Sequence, residues 1–474
     1  MGGLFSVLDS SVSALQAFQN ALNVEQDNIS NSSTPGYANQ IATFEAQPFE
    51  PQSGLYGGVT SGPTVSTNDY YADQAVQTQY SLQQNFTAQS QALSSIQSLF
   101  DVTGQTGVIG ALNNLFTAFS SWATTPDSAA NQQDVLSQAQ ALAQQFQSAA
   151  ASLSSTTTQL NTQIGSTVQQ INQLAAQIAT DNAAIASGNP PDPNAQADLE
   201  SSLENLSQLA NITVNYNADG TANVLLGGES GLVLGQQAYS IQANFTNTTQ
   251  GGNPNAVPDA QILDSNGQDI TSEISQGTLG GLLYLRNTVL PSLQGDGQQQ
   301  GALNILAQQV ADQVNAILSS ATTPGGQAGV PLFTYSASSP VDVAATLTVN
   351  SNITAGQLAP ASSSSGNGAA LELANLGNST AAADQIDGQT ILGYAASIAT
   401  QVGQQASDAQ TGESLHTQLL AQAQALQTQI SGVSLDAAAT QVLQLQQGYD
   451  AVSKMVTVID SLSTTLINMV PSST

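Results

Sequence analysis

The chain has no cysteine, a single histidine and only two basic residues, and each shortage closes a class of function. Without cysteine there is no disulfide, no thiolate nucleophile and no cysteine metal site. His416 cannot by itself build a multi-histidine metal site or one half of a Cys–His pair, so it reads as a structural residue. Arg286 and Lys454 stand against 32 Asp and Glu, a formal net charge of -30, which argues against nucleic acid or an anionic membrane as partner. No apolar run approaches the roughly 18 residues that a membrane span needs. The start, Met1 to Phe5, carries no basic residue and no long apolar run before Asp9, so it does not read as a cleavable signal.

Catalytic and cofactor motifs are equally sparse. No phosphate-cradling loop is present, and the carboxylates stand in no recognisable acid–base pair. The run Asp264 to Asp269 superficially resembles a calcium loop but lacks the terminal Glu, and it reads as a hairpin turn. No cofactor is expected, and the chain reads as non-enzymatic. Charged residues make up 7% of the sequence, so most solvated faces must be built from Gln, Asn, Ser and Thr.

What the sequence does have is helical periodicity at both ends. Leu8, Leu15, Leu22 and Ile29 recur seven apart, with Phe5, Val12 and Phe18 between them, the pattern of a helix that packs along a seam and ends near Asn31. Thr34-Pro35-Gly36-Tyr37 then reads as a turn into extended chain through Phe49, and the Pro and Gly of Glu50 to Thr67 as a linker. At the other end, Val442, Leu445, Tyr449, Val452, Val456 and Ile459 alternate strictly by 3 and 4, and Leu462, Leu466 and Val470 continue the stripe. A break falls at Ser431-Gly432, with Ser434 as the N-cap of the last helix. Isolated helices of this length are marginal in water, so both need partners.

Between the ends, a helix capped by Asn68 or Asp69 carries Leu82, Phe86, Leu93, Ile96 and Phe100, interrupted by Gln89. A glycine-containing break at Gly104 to Gly110 separates it from a short helix around Leu112 to Phe119 that packs the sole tryptophan, Trp122, into core. Asp127 to Ala186 has no proline and one glycine, and its apolar positions predict an unbroken helix of about 55 residues, roughly 80 Å long. The turn Gly188 to Pro193 then leads to a hairpin partner over Asp198 to Ala210. Short strands follow from Ile212 to Ile270, helices over Leu279 to Leu290 and Leu303 to Leu318, and strands around Leu332-Phe333 and Leu347 to Val349. The last helical segment begins near Ile386.

The fold class is therefore mainly α with smaller β parts (α+β). Four parts are expected: a coiled-coil end domain of paired terminal helices (1–55 with 430–474), a long antiparallel helical rod (56–211 with 277–429), and two small β insertions (212–276 and 322–367).

Two stretches carry a family resemblance. Asp27-Asn28-Ile29-Ser30-Asn31 leading into Thr34-Pro35-Gly36-Tyr37 resembles the signature of flagellar rod, hook and hook-associated proteins. Ser431 to Asp436 with Leu443 to Tyr449 is similar to its C-terminal counterpart. Gly54 to Val59, Asp134 to Gln140, Leu232 to Gly235 and Leu279 to Leu283 narrow the likeness to the hook-associated junction proteins. The family's basic residue two after the turn tyrosine is Asn39 here, its Gln-Arg-Asp motif is Ala197-Asp198-Leu199, and its acidic residues after Asp436 are Ala437 and Ala438.

The resemblance implies a structural subunit at the hook–filament junction, exported uncleaved by the flagellar type III apparatus and polymerised at the hook tip. It implies a homo-oligomeric ring or tube, hook protein and a neighbouring hook-associated protein as partners, an export chaperone, and a secreted location. The seam residues above are the expected assembly contacts, and Asn28, Thr34, Pro35, Gly36 and Tyr37 the family turn. Hook and rod proteins would be richer in strands, flagellin would lack the Thr-Pro-Gly-Tyr turn, and an unrelated adhesin-like coiled coil would lack both signatures.

Overall fold

The structure is a computed structural model that describes residues 2–50, 55–100, 106–188, 193–245, 258–296, 299–336 and 340–469. Outside them fall most of the turn before Pro193, much of the break after Phe100, Gly54 of its motif and Val470 of the terminal stripe, while the side chains of Phe5 and Leu466 are likewise not described.

Helix α1 (Gly2–Asn31) opens the chain, followed by strands β1 (Gln40–Ile41), β2 (Phe44–Glu50), β3 (Leu55–Ser61) and β4 (Val65–Ser66). Strands β2 and β3 form an antiparallel hairpin, and β1 pairs with β4. The stretch expected to be linker is therefore largely strand. Its glycines do not abolish pairing, because Gly57 and Gly58 take φ of 72° and 129° inside the hairpin, conformations open to glycine. The hairpin lies against α1, with Phe44 tilted on Phe18 at 5.8 Å.

Helix α2 (Tyr70–Gln97) starts where the sequence places a cap, with Asp69 accepting the N–H groups of Tyr71 at 2.9 Å and Ala72 at 3.2 Å. Helix α3 (Gly107–Thr124) buries Leu112, Leu115, Phe119 and Trp122 completely, and the Trp122 indole donates to the Pro126 carbonyl at 3.1 Å. Helix α4 (Ala129–Ser187) runs 59 residues without interruption, and α5 (Pro193–Leu209) folds back along it. Ser202 donates to Asp181 at 3.3 Å across that pair.

Strands β5 (Ile212–Tyr216), β6 (Ala222–Leu226), β7 (Ser230–Leu234) and β8 (Gln237–Ala238) form a four-stranded antiparallel meander, and β9 (Gln242–Asn244) pairs with β10 (Gln261–Leu263). The meander is fixed to α4 by fully buried Asn182, which donates to the Ala222 and Gly235 carbonyls and accepts from the Ala222 N–H. Asp264, in the run that resembles a calcium loop, accepts the N–H groups of Asn266 and Gln268 at 2.9 and 2.7 Å and closes a turn.

Helix α6 (Gly277–Tyr284) continues through a π-helical turn, Leu285–Val289, into α7 (Leu290–Gln294). Arg286 in that turn is buried and donates to Asn161 at 2.8 Å and the Pro258 carbonyl at 2.6 Å. Helix α8 (Ala302–Ser320) is followed by β11 (Phe333–Thr334), α9 (Val343–Thr346), β12 (Thr348–Val349), α10 (Gly368–Leu376), α11 (Ile391–Ser431) and α12 (Leu435–Met469). Strands β11 and β12 pair antiparallel. Helix α11 lies antiparallel on α2, with Gln427 opposite Asp73 and His416 opposite Gln79. His416 stacks on Phe86 at 5.5 Å and lines this helix contact.

One continuous core joins these elements from Ala88 to Ala409 and contains no residue of α1 or α12. The terminal helices pack instead on each other, antiparallel, with Ser11 against Met455 and Phe18 against Gly448.

Candidate assembly surface and its joint with the rod

The predicted C-terminal stripe is the face that α12 turns to α1. Leu445 and Ile459 are buried, and Val442, Tyr449, Val452 and Val456 are half-buried on the same line. Spacing of 3 and 4 keeps these side chains on one side of the helix.

On α1 the expected row is only partly covered in the single subunit. Leu8, Leu15 and Leu22 are half-buried and Ile29 is 39% exposed, while Ser11, Ala17, Ala21 and Asn28 are the buried positions. On α12, Gly448 leaves room for the Phe18 ring, since a Cβ there would stand 2.8 Å from it. The lone glycine of α12 was the available signal, hidden because periodicity counts large apolar residues first.

Much apolar surface on this pair stays open to solvent. Met455, Val458 and Leu462, at 3 and 4 spacing, are 52%, 57% and 51% exposed. Leu443 is exposed too, as are Val7 and Val12 on α1. Such a concentration on one helix pair exceeds the scatter of single apolar residues expected on a soluble surface.

The family turn anchors the pair to the rod. Asn28 is completely buried: its amide donates to the Gln40 carbonyl at 2.8 Å, and its oxygen accepts the Gln40 N–H at 2.8 Å and the Tyr37 hydroxyl at 3.2 Å. Burial, with Asp27 and Glu25 nearby, pushes the Tyr37 hydroxyl up to about 12, so it stays a donor. Thr34 and Pro35 are exposed at the apex, where the Thr34 carbonyl accepts the Tyr37 N–H at 3.2 Å. Gly36, with φ of 74°, lies so close to α5 that a Cβ would collide with the Ala197 carbonyl oxygen. Ser431, at the end of α11, accepts the Asn39 N–H at 2.8 Å on its carbonyl and donates its hydroxyl to the Thr67 carbonyl at 3.2 Å. Chain leaving α1 and chain entering α12 are thus tied at one point.

Beneath this turn lies a cluster that sequence reasoning missed. Ser32 to Ala38, Asn68, Asp73, Glu200, Glu204, Gln427 and Ser431 are among the residues lining a cavity of about 250 Å³. Its three carboxylates come from α2 and α5, far apart in sequence. Among the described residues, no group of three or more His, Cys, Asp or Glu has the geometry to hold a metal ion.

Comparison with known proteins places this architecture. The family model described as the flagellar hook-associated protein FlgK helical domain matches residues 93–333, just over half of the chain. The chain belongs to the FlgK family of flagellar hook-associated proteins. A flagellar basal-body rod protein model matches residues 8–37, and the C-terminal model of the basal-body rod proteins FlgE, FlgF and FlgG matches residues 422–469, which together bracket the terminal pair. Flagellar hook-associated protein 1 of Bacillus subtilis (strain 168) is 26% identical over 522 aligned positions, covering 99% of each chain. The solved structure of the flagellar hook junction protein FlgK from Burkholderia pseudomallei superposes with a TM-score of 0.60 over 76% of this chain and 100% of that one, at 17% identity, a likeness of fold. The mainly α architecture with small sheets, and the membership read from both terminal signatures, agree with these matches.

Proposed function

We propose that the chain is the structural subunit of the hook–filament junction, polymerising at the hook tip as an adaptor for the filament. One observation carries the reading: in a chain of the FlgK family, the helix pair outside the core keeps Met455, Val458, Leu462 and Leu443 open to solvent. At about 25 cal/mol per Å² of apolar surface removed from water, covering such rows is the available driving force for tube formation. Leu8, Leu15, Leu22 and Ile29, half-buried or exposed in the single subunit, are suited to contact a neighbour, while Val442 to Ile459 hold the pair together. The rod faces outward, with the β parts at 212–276 and 322–367 as insertions on it. Partners are other copies in a ring or tube, the hook protein, a neighbouring hook-associated protein and an export chaperone. The subunit leaves the cell uncleaved and acts outside it, without catalysis, cofactor, nucleic acid or membrane.

The test is the double substitution Val458→Asp with Leu462→Asp. Both side chains are exposed in the monomer, so the rod should melt as in the wild type while incorporation at the hook tip and filament growth are lost. Normal filaments on that strain would sink the reading.

A further inference from the structure

The cavity beneath the family turn has a charge problem that the chain cannot solve with its own cations. Asp73 is 3% exposed, Glu200 8% exposed, and both share the cavity wall with Glu204. Glu200 accepts the Tyr216 hydroxyl at 3.0 Å and the Asn68 amide at 3.3 Å. Gln427 donates to Asp73 Oδ1 at 2.8 Å and to Glu204 at 3.3 Å, its one amide serving two acids. Among the described residues, the other oxygen, Asp73 Oδ2, is buried and has no hydrogen-bond partner. The sequence holds two basic residues, and neither lines the cavity: Arg286 is committed to Asn161 and Pro258, and Lys454 lies exposed on α12.

Buried Asp73 and Glu200, with half-buried Glu204 on the same cavity wall, cannot all be ionised without repulsion and desolvation. The walls of this cavity are the segments that meet at the joint: the turn after α1, the start of α2, the middle of α5 and the end of α11. We propose that the joint between the terminal helix pair and the rod is a proton-operated latch, closed while a proton is held among Glu200, Asp73 and Glu204 and loosened when all three ionise. The angle between the assembly helices and the rod is thereby coupled to pH.

The electrostatics agree in direction. Burial, then the Asp73 charge, pushes Glu200 up to about 8, and burial also raises Asp73 and Glu204. The other titratable groups facing the cluster among the described residues are Asp69, Tyr70 and Tyr80 on α2 and Tyr216 on β5, while α11 presents the Gln427 amide. Burial first, and then neighbouring acids, raise the three tyrosines above 10, so they stay neutral through the range concerned. A carboxyl raised in the folded state gives stability that is complete below its unfolded value of 4.5 and is lost as pH rises through about 8.

The full-length chain has no cysteine, so spin labels on Thr440→Cys in α12 and Ser137→Cys in α4 report the joint alone. At constant ionic strength the label distance should be a single population at pH 6 that shifts or broadens by pH 9, with a fall in Tm of about 5 °C. E200Q, which keeps an acceptor for the Asn68 amide and turns its own amide to the Tyr216 oxygen, should hold the pH 6 distance at pH 9 and flatten the Tm profile. D73N, which removes the nearest like charge, should shrink both changes. A distance and Tm indifferent to pH between 6 and 9, or an E200Q chain that responds as the wild type does, would overturn the latch. Calcium restoring the closed distance at pH 9 would overturn it too, by assigning the cavity to a metal cation.

Discussion

The rod and the terminal helix pair are both α-helical and both low in charge, yet they reach stability by different routes. The rod buries Trp122, Phe119, Phe146 and long rows of Leu and Ile at essentially zero exposure in one core. Among its described residues the pair buries Ser11, Ala17, Ala21, Asn28 and Ala438, with Leu445 and Ile459 as the only large apolar side chains below 9% exposure, and leaves other large ones outside. The difference teaches that the rod covers its large apolar side chains within one chain, whereas the pair leaves Met455, Val458 and Leu462 uncovered in the single subunit, as the proposed assembly would require.

That contrast can be broken at its strong side first. Phe146→Ala, at a fully buried position, should destabilise the rod by about 3–5 kcal/mol, seen as a lower urea midpoint in circular dichroism. A loss below about 1 kcal/mol would mean that the rod core is as loosely built as the pair. Asn28→Ala comes next, because it leaves the Gln40 N–H, the Gln40 carbonyl and the Tyr37 hydroxyl without their partner. It should remove about 2 kcal/mol locally, so hydrogen exchange quickens in α1 and at Gln40 while α4 keeps its protection. Equal loss of protection in α4 would join the two regions into one folding unit. The smallest effect concerns salt. With a net charge of -30, raising ionic strength to about 0.5 M should strengthen self-association while the rod's unfolding free energy moves by less than about 0.5 kcal/mol. Association unmoved by salt would show that repulsion between subunits is already relieved elsewhere.

Much of the fold was legible because helical periodicity and turn chemistry are local. The 59-residue helix, the Asp69 cap, the break at Ser431 and the C-terminal seam all follow from residues within a few turns of one another. The β2–β3 hairpin was obscured by its glycines, which look like linker until the strands pair. On α1 the apolar row was visible, but not that Ala17, Ala21 and Asn28 would be among its buried positions, since burial depends on which elements come to rest on the helix. The carboxylate cluster was invisible for another reason: Asp73, Glu200 and Glu204 are ordinary surface-type residues in sequence, and only the crossing of α2, α5 and α11 buries them together.

The sequence by itself determined that this protein is mainly helical, with apolar stripes in the helices at both ends, no cysteine, one histidine and two basic residues. The tertiary structure decided which side chains those ends bury and which they offer, and it brought three acids into one cavity. Periodicity is a property of a single helix and can be read along the chain. Burial and charge proximity are properties of pairs of elements, and they exist only once distant segments have met.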